Sequence, residues 1–437
     1  MTNTTGVRGR RREVPLSDDY REEPVWWRDA GLPDIAPAPL AREADVAIIG
    51  AGYTGLSAAL TLARHGKRVV VVDKDAIGRG ASGRNAGMIH AGLRRNVDWL
   101  ERHRGAAGAA VHAASVDAVR YVAATAAAIH ADARFEECGW LYLAHRRSAM
   151  RRLRSQEQMR RERLGETTVL LAPDALAQET EAHGFHGALL TNNGASIHPA
   201  RYLAALARAA IATGVQVHEH VAVTNVERRP EGGFTVIAPG ATLAARDVLV
   251  ASNGYTDAAV PALRRRVIPI GSYIIATEPL NDAHVAAISP TRRMMSDTRN
   301  FLHYWRLTPD RRMLFGGRTS FNPVSLERAR GLLYAAMLDM YPHLKGVRVS
   351  SAWSGLVGFT FDQMPHLGQL GGITYALGYC GSGVAMGSRL GALAGEWLAT
   401  GEAPVIARMP FPTLPGYAGR PWFLPLAGAY YQLRDLI

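Results

Sequence analysis

The clearest pattern of apolar positions lies near the start of the chain, where two apolar runs flank a segment with helical spacing. Residues 46–49 and 68–72 are apolar almost throughout, which is typical of strands buried on both faces of a parallel sheet. Residues 56–64 between them carry small and apolar side chains at helical spacing. We therefore predict one βαβ unit, the repeating unit of open parallel sheets.

Beyond this unit the pattern changes several times between helical and extended segments. Residues 265–350 alternate in short strands, as in a mixed antiparallel sheet. The chain is therefore predicted to be an α/β protein, in which a Rossmann-like domain is combined with a second α+β domain built on a mixed, largely antiparallel sheet. The other predicted elements are helices over 105–131, 145–164 and 199–213, strands over 215–237 and 247–252, and a strand, glycine turn and helix over 373–400.

The turn between the first strand and the helix carries three spaced glycines. Gly50, Gly52 and Gly55 form a G-x-G-x-x-G motif, and Asp73 ends the following strand. The first glycine permits a tight turn, the second lets the backbone approach a pyrophosphate, and the third lets helix and strand pack closely. An acidic side chain at Asp73 accepts hydrogen bonds from ribose hydroxyls and repels a 2′-phosphate. The motif predicts a dinucleotide site and disfavours NADP.

A second glycine loop follows the βαβ unit at residues 78–88, with the sequence GRGASGRNAGM. Its small residues suit a backbone cradle around a bulky planar ring and its diphosphate, with an arginine to pair with the phosphates. A nicotinamide enzyme does not need this second cradle. The two loops together favour a flavin dinucleotide.

Composition and charge bear mainly on the partners of the protein. The formal net charge is +12, and residues 145–164 are dense in arginine, which raises nucleic acid as a partner. Only three of the 50 basic residues are lysines, so arginine is enriched along the whole chain. A solvated basic surface is therefore the favoured interpretation, and a nucleic-acid partner is not expected.

Cysteine content and hydropathy bear on compartment. Cys138 and Cys380 are too few for a disulfide framework or a four-ligand metal site, so no metal is predicted and a reducing cytoplasm fits best. No apolar segment follows the basic start of the chain as in a signal peptide, and no transmembrane helix is predicted. Residues 411–431, rich in proline and aromatic side chains, are expected to pack on the dinucleotide-binding domain. Oligomeric assembly stays open.

Several motifs together resemble one family. Besides the first fingerprint with Asp73, they are residues 80–85, Val223 in a strand, residues 251–254 (ASNG) and residues 378–384 (GYCGSGV). The sequence from about 45 to 437 resembles the superfamily of D-amino-acid oxidase, glycine oxidase and sarcosine oxidase, and within it the gamma-glutamylputrescine oxidoreductase-like members.

The resemblance implies a noncovalently bound FAD. The first loop would hold adenosine and diphosphate, the second would lie along the isoalloxazine, and the helix after the last glycine turn would face the flavin pyrimidine with its N-terminus. Residues 353–361 contain no cysteine that could tether the flavin. The residues expected to bind the cofactor are Gly50, Gly52, Tyr53, Thr54, Gly55, Asp73, Lys74, Gly80, Ala81, Ser82, Arg84, Asn85, Ala86, Gly87, Met88, Val223, Ser252, Gly254, Gly381, Ser382, Gly383 and Val384.

The same resemblance implies an enzyme that oxidises a C–N bond of a small amine or amino acid, with hydride transfer to the flavin and hydrolysis of the resulting imine. Residues 313–316 contain no oxygen-activating lysine, so O2 or another electron acceptor stays open. Oxidation of a C–O bond in a hydroxy acid, and a flavin-dependent RNA-modifying or RNA-binding activity, stay as alternatives. The residues expected to contact a substrate, which could carry a carboxylate, are Tyr273, His303, Tyr304, Arg306 and Arg318.

Domain boundaries follow from the same pattern. The first residues, rich in charge and proline, are expected to form an arm anchored by Trp26 and Trp27. The predicted division is an N-terminal arm at 1–41, a discontinuous FAD-binding domain at 42–131, 188–263 and 362–437, and a substrate-binding domain at 132–187 and 264–361.

Overall fold

The computed structural model describes residues 13–318 and 324–436. The strands in this part of the chain are β1 (Leu16–Arg21), β2 (Glu43–Ile49), β3 (Val69–Val72), β4 (Met88–His90), β5 (Glu136–Glu137), β6 (Trp140–Leu143), β7 (Thr168–Leu171), β8 (Ala188–Thr191), β9 (Gly194–Ser196), β10 (Gln216–His218), β11 (Asn225–Arg228), β12 (Phe234–Ala238), β13 (Ala241–Val250), β14 (Ile268–Thr277), β15 (Met294–Asp297), β16 (His303–Leu307), β17 (Met313–Gly317), β18 (Val349–Phe359), β19 (His366–Leu370) and β20 (Ile373–Leu377).

Helices separate these strands and cover the sheets. They are α1 (Tyr53–Arg64), α2 (Val97–Ala128), α3 (Arg147–Leu164), α4 (Pro173–Leu176), α5 (Pro199–Ala212), α6 (Pro261–Arg264), α7 (Asp282–Ile288), α8 (Leu326–Met340), α9 (Gly383–Thr400) and α10 (Leu424–Leu436). The predicted start of the second helix at residue 105 is eight residues late. It coincides with Gly105, where non-helical backbone angles divide α2 into two segments.

An eight-stranded sheet contains the predicted βαβ unit. Its parallel strands follow the order β10-β3-β2-β13-β20, and β13 also pairs with the antiparallel strand β12. The largest cluster of buried apolar side chains lies between this sheet and α1, α2, α5 and α9. Helices α1 and α9 approach closely at Gly391. A Cβ atom at this position would lie 2.3 Å from the carbonyl oxygen of Thr54, so only glycine fits there. The predicted Rossmann-like arrangement is confirmed.

The second large sheet has nine strands in the order β1-β18-β14-β17-β16-β15-β6-β8-β7, and most neighbours are antiparallel. Helix α8 packs against it over a second apolar core. The mixed, largely antiparallel sheet is therefore confirmed, but residues 265–350 also contain α7 and α8, which their short alternating pattern did not predict.

Two parts of this sheet lie outside the predicted substrate domain. Strand β8 was placed in the FAD-binding domain, but it pairs antiparallel with β6 and β7 of the nine-stranded sheet, because the chain returns to that sheet after α4 before it crosses over. Strand β1, in the predicted arm, pairs with β18. Trp26 anchors the arm as expected, since it is 3% exposed and its indole donates to the carbonyl oxygen of Asn85.

The C-terminal segment packs as expected in one part and is exposed in another. Phe411 is buried against Tyr375 of the eight-stranded sheet, as expected, whereas Tyr417 is buried beside the nine-stranded sheet, where its hydroxyl donates to the carbonyl oxygen of Val267. Trp422, in contrast, is 63% exposed. Among the helices of the described residues, none is long and apolar enough to cross a membrane.

Candidate functional site

A cavity of about 620 Å³ lies where the two large sheets meet. The carboxyl ends of β2 and β3 and the N-termini of α1 and α9 open onto it, and β14 and β16 contribute the opposite wall. Ligands of open α/β sheets bind at this edge of the sheet, and the volume is that of a small-molecule or cofactor site. The predicted cofactor residues that line it are Gly50, Gly52, Tyr53, Thr54, Asp73, Lys74, Gly80, Ala81, Ser82, Arg84, Asn85, Ala86, Met88, Val223, Ser252, Gly381, Ser382, Gly383 and Val384.

The first glycine turn has the geometry that its motif requires. Gly50 has φ +111°, a value that side chains other than glycine rarely adopt. Gly52 lies against the second loop, since a Cβ atom there would be 2.8 Å from Ser82 Oγ. Gly55 does not line the cavity, and a Cβ atom on it would lie 1.9 Å from the Gly50 carbonyl oxygen. Its role is therefore the close packing of helix and strand.

Asp73 lies at the end of β3 beside this turn. Its carboxylate accepts hydrogen bonds from the backbone N–H groups of Ala51 at 2.8 Å and Asp75 at 3.0 Å. Burial raises the pKa of the Asp73 carboxyl. Each carboxylate oxygen can accept more than one hydrogen bond, so Asp73 retains acceptor capacity for ribose hydroxyls.

Two buried tryptophans hold the second glycine loop through hydrogen bonds to its backbone. The Trp26 indole donates to the Asn85 carbonyl at 2.8 Å, and the Trp353 indole donates to the Arg84 carbonyl at 2.7 Å. Within the loop, the Asn85 side chain accepts from the N–H of Gly87 at 2.8 Å. Gly87 itself packs away from the cavity against the chain at Ile197. The loop is thus fixed by contacts to the arm and to β18.

The third glycine turn precedes α9. Gly381 has φ +111°, and a Cβ atom on it would meet no atom within 4 Å, so the backbone stays open where it lines the cavity. The Ser382 side chain does not cap α9, which leaves the helix N-terminus available to a partially negative group. Burial raises the pKa of the Cys380 thiol, and the thiol donates to the Gly378 carbonyl oxygen. Cys380 is therefore a buried neutral thiol.

These features fit an FAD. Two helix N-termini and the glycine-rich backbone supply donors for a diphosphate and for the electron-rich edge of a flavin. Asp73 and Val223 line the end of the cavity near β3, where the adenosine would lie. Among the described residues, no group of histidine, cysteine and acidic side chains could hold a metal ion.

The side of the cavity opposite the glycine loops carries polar side chains. Tyr304 lines it, and its hydroxyl lies 3.0 Å from the Ser272 hydroxyl. A Cβ atom at Gly316, which pairs with Tyr304 across the sheet, would lie 2.4 Å from the tyrosine ring. The glycine therefore lets the ring lie flat over β17. Burial raises the pKa of the Tyr304 phenol, so it is a hydrogen-bond donor at neutral pH.

Arg318 also lines the cavity, and Arg94 lies beside it. The sequence did not indicate that Arg94 belongs to this site. Their guanidinium carbons lie 4.6 Å and 5.1 Å from the centroid of the Phe359 ring. Burial and then repulsion by Arg94 lower the pKa of Arg318 to about 9, which leaves it charged at pH 7. No described carboxylate pairs with either arginine; the electrostatic neighbours of Arg318 are Arg94, Tyr304 and Cys380.

Other predicted substrate residues lie outside the cavity, which corrects their assignment. Tyr273 faces the other side of β14 from Ser272 because side chains alternate along a strand, and its hydroxyl donates to the Val324 carbonyl. Arg306 is buried against the Trp26 ring and donates to the carbonyl oxygen of Ile197. His303 pairs with Asp297. Gly254 is also outside, where a Cβ atom would lie 2.9 Å from the amide nitrogen of Gly358.

An aromatic wall, also missed from the sequence, leads away from the α9 turn. His90 Nε2 lies 3.4 Å from Ser382 Oγ, and the His90 ring packs edge-on against Trp140 at 4.9 Å. Trp140 stacks on Tyr142 at 5.6 Å. Burial lowers the pKa of His90 to about 4, so the imidazole is neutral at pH 7. We refer to His90, Trp140 and Tyr142 as the aromatic wall.

The arginine-rich helix α3 closes the cavity beyond this wall. Arg160 donates to Glu166 at 2.7 Å, Arg161 pairs with Glu157, and Arg163 pairs with Asp98 and Glu101 of α2. Several of the arginines that motivated the nucleic-acid alternative are thus engaged by acids of the same chain.

The glycine turns, the cavity at the carboxyl edge of a parallel sheet and the second, antiparallel sheet define a dinucleotide-dependent oxidoreductase. The chain belongs to the DAO family, described as FAD dependent oxidoreductase, whose model matches residues 45–397. The predicted family, cofactor and enzyme class are therefore confirmed.

Individual relatives agree with this assignment. The chain is 32% identical to gamma-glutamylputrescine oxidoreductase of Escherichia coli over 90% of this chain and 92% of that protein. It is 33% identical to the probable oxidoreductase OrdL of Rhizobium meliloti over 97% of this chain and 99% of that protein. The crystal structure of glycine oxidase from Geobacillus kaustophilus superposes with a TM-score of 0.71 at 20% identity, over 86% of this chain and 99% of that one.

Proposed function

We propose that the protein holds FAD noncovalently in this cavity and oxidises the C–N bond of an amine or amino acid that carries a carboxylate. The observation that carries the substrate class is the pair Arg94 and Arg318, which faces the cavity with no acidic partner among the described side chains. The similarity to gamma-glutamylputrescine oxidoreductase supports a C–N rather than a C–O bond.

A carboxylate at the two arginines would resolve their electrostatic conflict. Two cations beside the same Phe359 ring repel each other, and a buried charge without a partner is costly. A carboxylate neutralises one charge and accepts charge-assisted hydrogen bonds from both guanidinium groups. A cationic polyamine end would be repelled from the same position.

The protein's own groups position the substrate and keep water out. Bound FAD supplies the hydride acceptor for this chemistry. With the carboxylate fixed by Arg94 and Arg318, the Tyr304 hydroxyl can donate to a substrate atom while it stays near Ser272. The substrate loses a hydride from the carbon and a proton from the nitrogen to give an imine, and water then releases a carbonyl compound and an amine or ammonia.

Noncovalent attachment agrees with the cysteines. Burial raises the pKa of both Cys138 and Cys380, which leaves neutral thiols with little nucleophilicity, and Cys138 does not line the cavity. The electron acceptor is O2 or another oxidant. Lys74 lines the cavity beside Asp73, on the side of the first glycine turn, and β17 carries no lysine.

We propose that the two sheets correspond to two functional domains. The eight-stranded sheet belongs to the FAD-binding domain, built from residues 42–131, about 192–263 and 362–437. The nine-stranded sheet belongs to the substrate-binding domain, built from residues 132–191 and 264–361, with β1 added from the arm.

The test is anaerobic reduction of the bound flavin by paired compounds. N-methylglycine and other N-alkyl amino acids should bleach the flavin absorbance. N-methylethylamine, which lacks the carboxylate, should do so at least about tenfold less efficiently, because charge-assisted hydrogen bonds are lost. Bleaching by glycolate or glycerol 3-phosphate and not by any amine would favour C–O oxidation and overturn the proposal.

A further inference from the structure

The cavity has a second polar region on α2 and α3, away from the glycine loops. It is lined by His112 of α2 and by Leu153, Gln156, Met159 and Arg160 of α3, which we call the far wall. Helix α3 packs on β7 and β8, at the edge of the nine-stranded sheet. The α3 part of the far wall therefore belongs to the nine-stranded side of the molecule, which would face the substrate, and His112 of α2 lies opposite the glycine loops.

The aromatic wall connects the two regions. It starts at Ser382 in the α9 turn, passes along His90, Trp140 and Tyr142, and ends where the Arg160 guanidinium lies 5.9 Å from the Tyr142 ring. Each of these residues lines the cavity. A ligand that reaches from the α9 turn to the far wall would thus lie along a continuous aromatic surface, which suits a methylene chain.

His112 is the unusual member of the far wall. It is only 9% exposed, yet neither ring nitrogen has a hydrogen-bond partner among the described residues. Leaving a buried polar atom without a partner is unfavourable, and such atoms are rare in folded proteins. Burial lowers the pKa of His112, so the ring is neutral at pH 7 and offers one donor and one acceptor.

The charge of the neighbouring arginine is already balanced. The Arg160 guanidinium donates to Glu166 at 2.7 Å, with the two side chains 13% and 5% exposed. This differs from Arg94 and Arg318, which face the cavity without an acid. His112 and the balanced Arg160 pair therefore suit an uncharged polar group better than a second carboxylate, while Leu153 and Met159 add apolar surface.

We propose that the far wall is a subsite for the distal end of an elongated amine substrate. The ligand is an uncharged group with both a donor and an acceptor, such as a carboxamide, which hydrogen-bonds to His112 while its methylene chain lies along the aromatic wall. The inference rests on the proposed function, because it assumes that the reacting nitrogen lies near the glycine turns.

Three N-alkylglycines test the subsite on the holoenzyme. N-methylglycine has no chain that extends toward it, N-hexylglycine extends toward it with a methyl end, and N-(5-carbamoylpentyl)glycine extends toward it with a carboxamide. Apparent Kd values come from anaerobic flavin reduction, and calorimetry gives an independent binding constant. The wild-type protein should bind the carboxamide compound about fivefold to tenfold more tightly than the hexyl compound, as one hydrogen-bonding contact provides.

His112→Leu removes this contact without breaking any hydrogen bond within the described protein. The preference for the carboxamide should fall to within about twofold of unity, while N-methylglycine is unaffected. Met159→Trp should weaken both long compounds at least about tenfold by filling the far wall, whereas Gln158→Trp, at an exposed neighbouring position of α3, serves as the control.

The outcomes separate the subsite from the proposed function. A His112→Leu protein that keeps the wild-type preference, or a Met159→Trp protein that weakens all three compounds alike or none, overturns the subsite. If no compound reduces the flavin but calorimetry shows the preference and its loss in His112→Leu, the proposed oxidation is wrong and the subsite stands. If N-methylglycine reduces the flavin but the protein shows no preference between the two long compounds, the proposed oxidation stands and the subsite is wrong.

Discussion

The two sides of the cavity are built from different parts of the protein. The side formed by the eight-stranded sheet presents mainly backbone, in its glycine turns and two helix N-termini, together with the carboxylate of Asp73. The opposite side presents side chains: Tyr304 and Arg318 come from the nine-stranded sheet and its end, Arg94 from the loop after β4, and His112 from α2. Backbone groups are fixed by the fold and suit a ligand that never changes, whereas single side chains can be exchanged to change what is bound. We infer that the first side sets the cofactor and the second sets the substrate.

The largest effect is expected where a side chain is added to the backbone side. In Gly52→Val the new Cβ atom would lie 2.8 Å from Ser82 Oγ and bring a branched side chain to a turn that lines the cavity. Flavin affinity should fall at least about a hundredfold, since the backbone no longer approaches the diphosphate. The ratio of flavin to protein absorbance measures the loss.

Gly331→Ala in α8 is the matched control, because the added Cβ atom meets nothing within 4 Å and the position is outside the cavity. It should retain the wild-type flavin content. A Gly52→Val protein with full flavin content would contradict the assignment of this turn.

The second prediction removes a charge from the side-chain side. Arg318→Leu should leave flavin content unchanged and raise the Kd for N-methylglycine about a hundredfold, because charge-assisted hydrogen bonds to the carboxylate are lost. The Tm should stay the same or rise, because a buried cation without an acidic partner is replaced by an apolar side chain. Anaerobic titration and thermal unfolding give both values. Loss of stability with unchanged substrate binding would assign Arg318 a structural role.

The third prediction concerns pH. Burial lowers the pKa of His90 to about 4, below its unfolded value of about 6.5. Protonation therefore favours the unfolded state, so the His90 contribution to stability is complete above pH 6.5 and is lost as pH falls toward 4. His90→Phe, which keeps an aromatic ring against Trp140, should lose less stability than wild type over this range, by on the order of 2 kcal/mol. Urea unfolding of the holoproteins at pH 7 and 4.5 measures this, and parallel losses in both proteins would refute it.

The smallest expected effect comes from the support of the second glycine loop. Trp26→Phe removes the hydrogen bond from the indole to the Asn85 carbonyl, and the loop should hold the flavin about fivefold to tenfold less tightly. Trp422→Phe is the control, because Trp422 is 63% exposed and outside this cavity. Flavin titration of the apoproteins compares the two. Equal flavin affinity in the Trp26 and Trp422 variants would show that the arm does not support the loop.

The backbone side could be predicted from the sequence because its signals are local. Gly50, Gly52, Gly55 and Asp73 stand at fixed spacing within one βαβ unit, and the apolar runs on either side fix their place on strand and helix. The domain boundary was less accurate at β8, because the apolar pattern of a short strand does not indicate which of two sheets it joins.

The side-chain side could not be predicted in the same way. Tyr273 of β14 was predicted to contact the substrate, but its neighbour Ser272 faces the cavity instead, because side chains alternate between the two faces of a strand. The sequence does not indicate which face of β14 is turned toward the cavity. Arg94 follows β4 in a loop and meets Arg318 from β17 only through the tertiary fold. The arginine pattern of α3 predicted a solvated face. Most of these arginines are exposed, but Arg160 lines the cavity.

The most direct test of the central claim is a single anaerobic turnover with stoichiometric N-methylglycine. The account predicts that the flavin is reduced and that one carbonyl compound and one amine appear for each flavin, with the reduction rate lowered when the C–H bonds next to nitrogen are deuterated. Flavin that stays oxidised with every carboxylate-bearing amine, or is reduced without release of an amine, would contradict it.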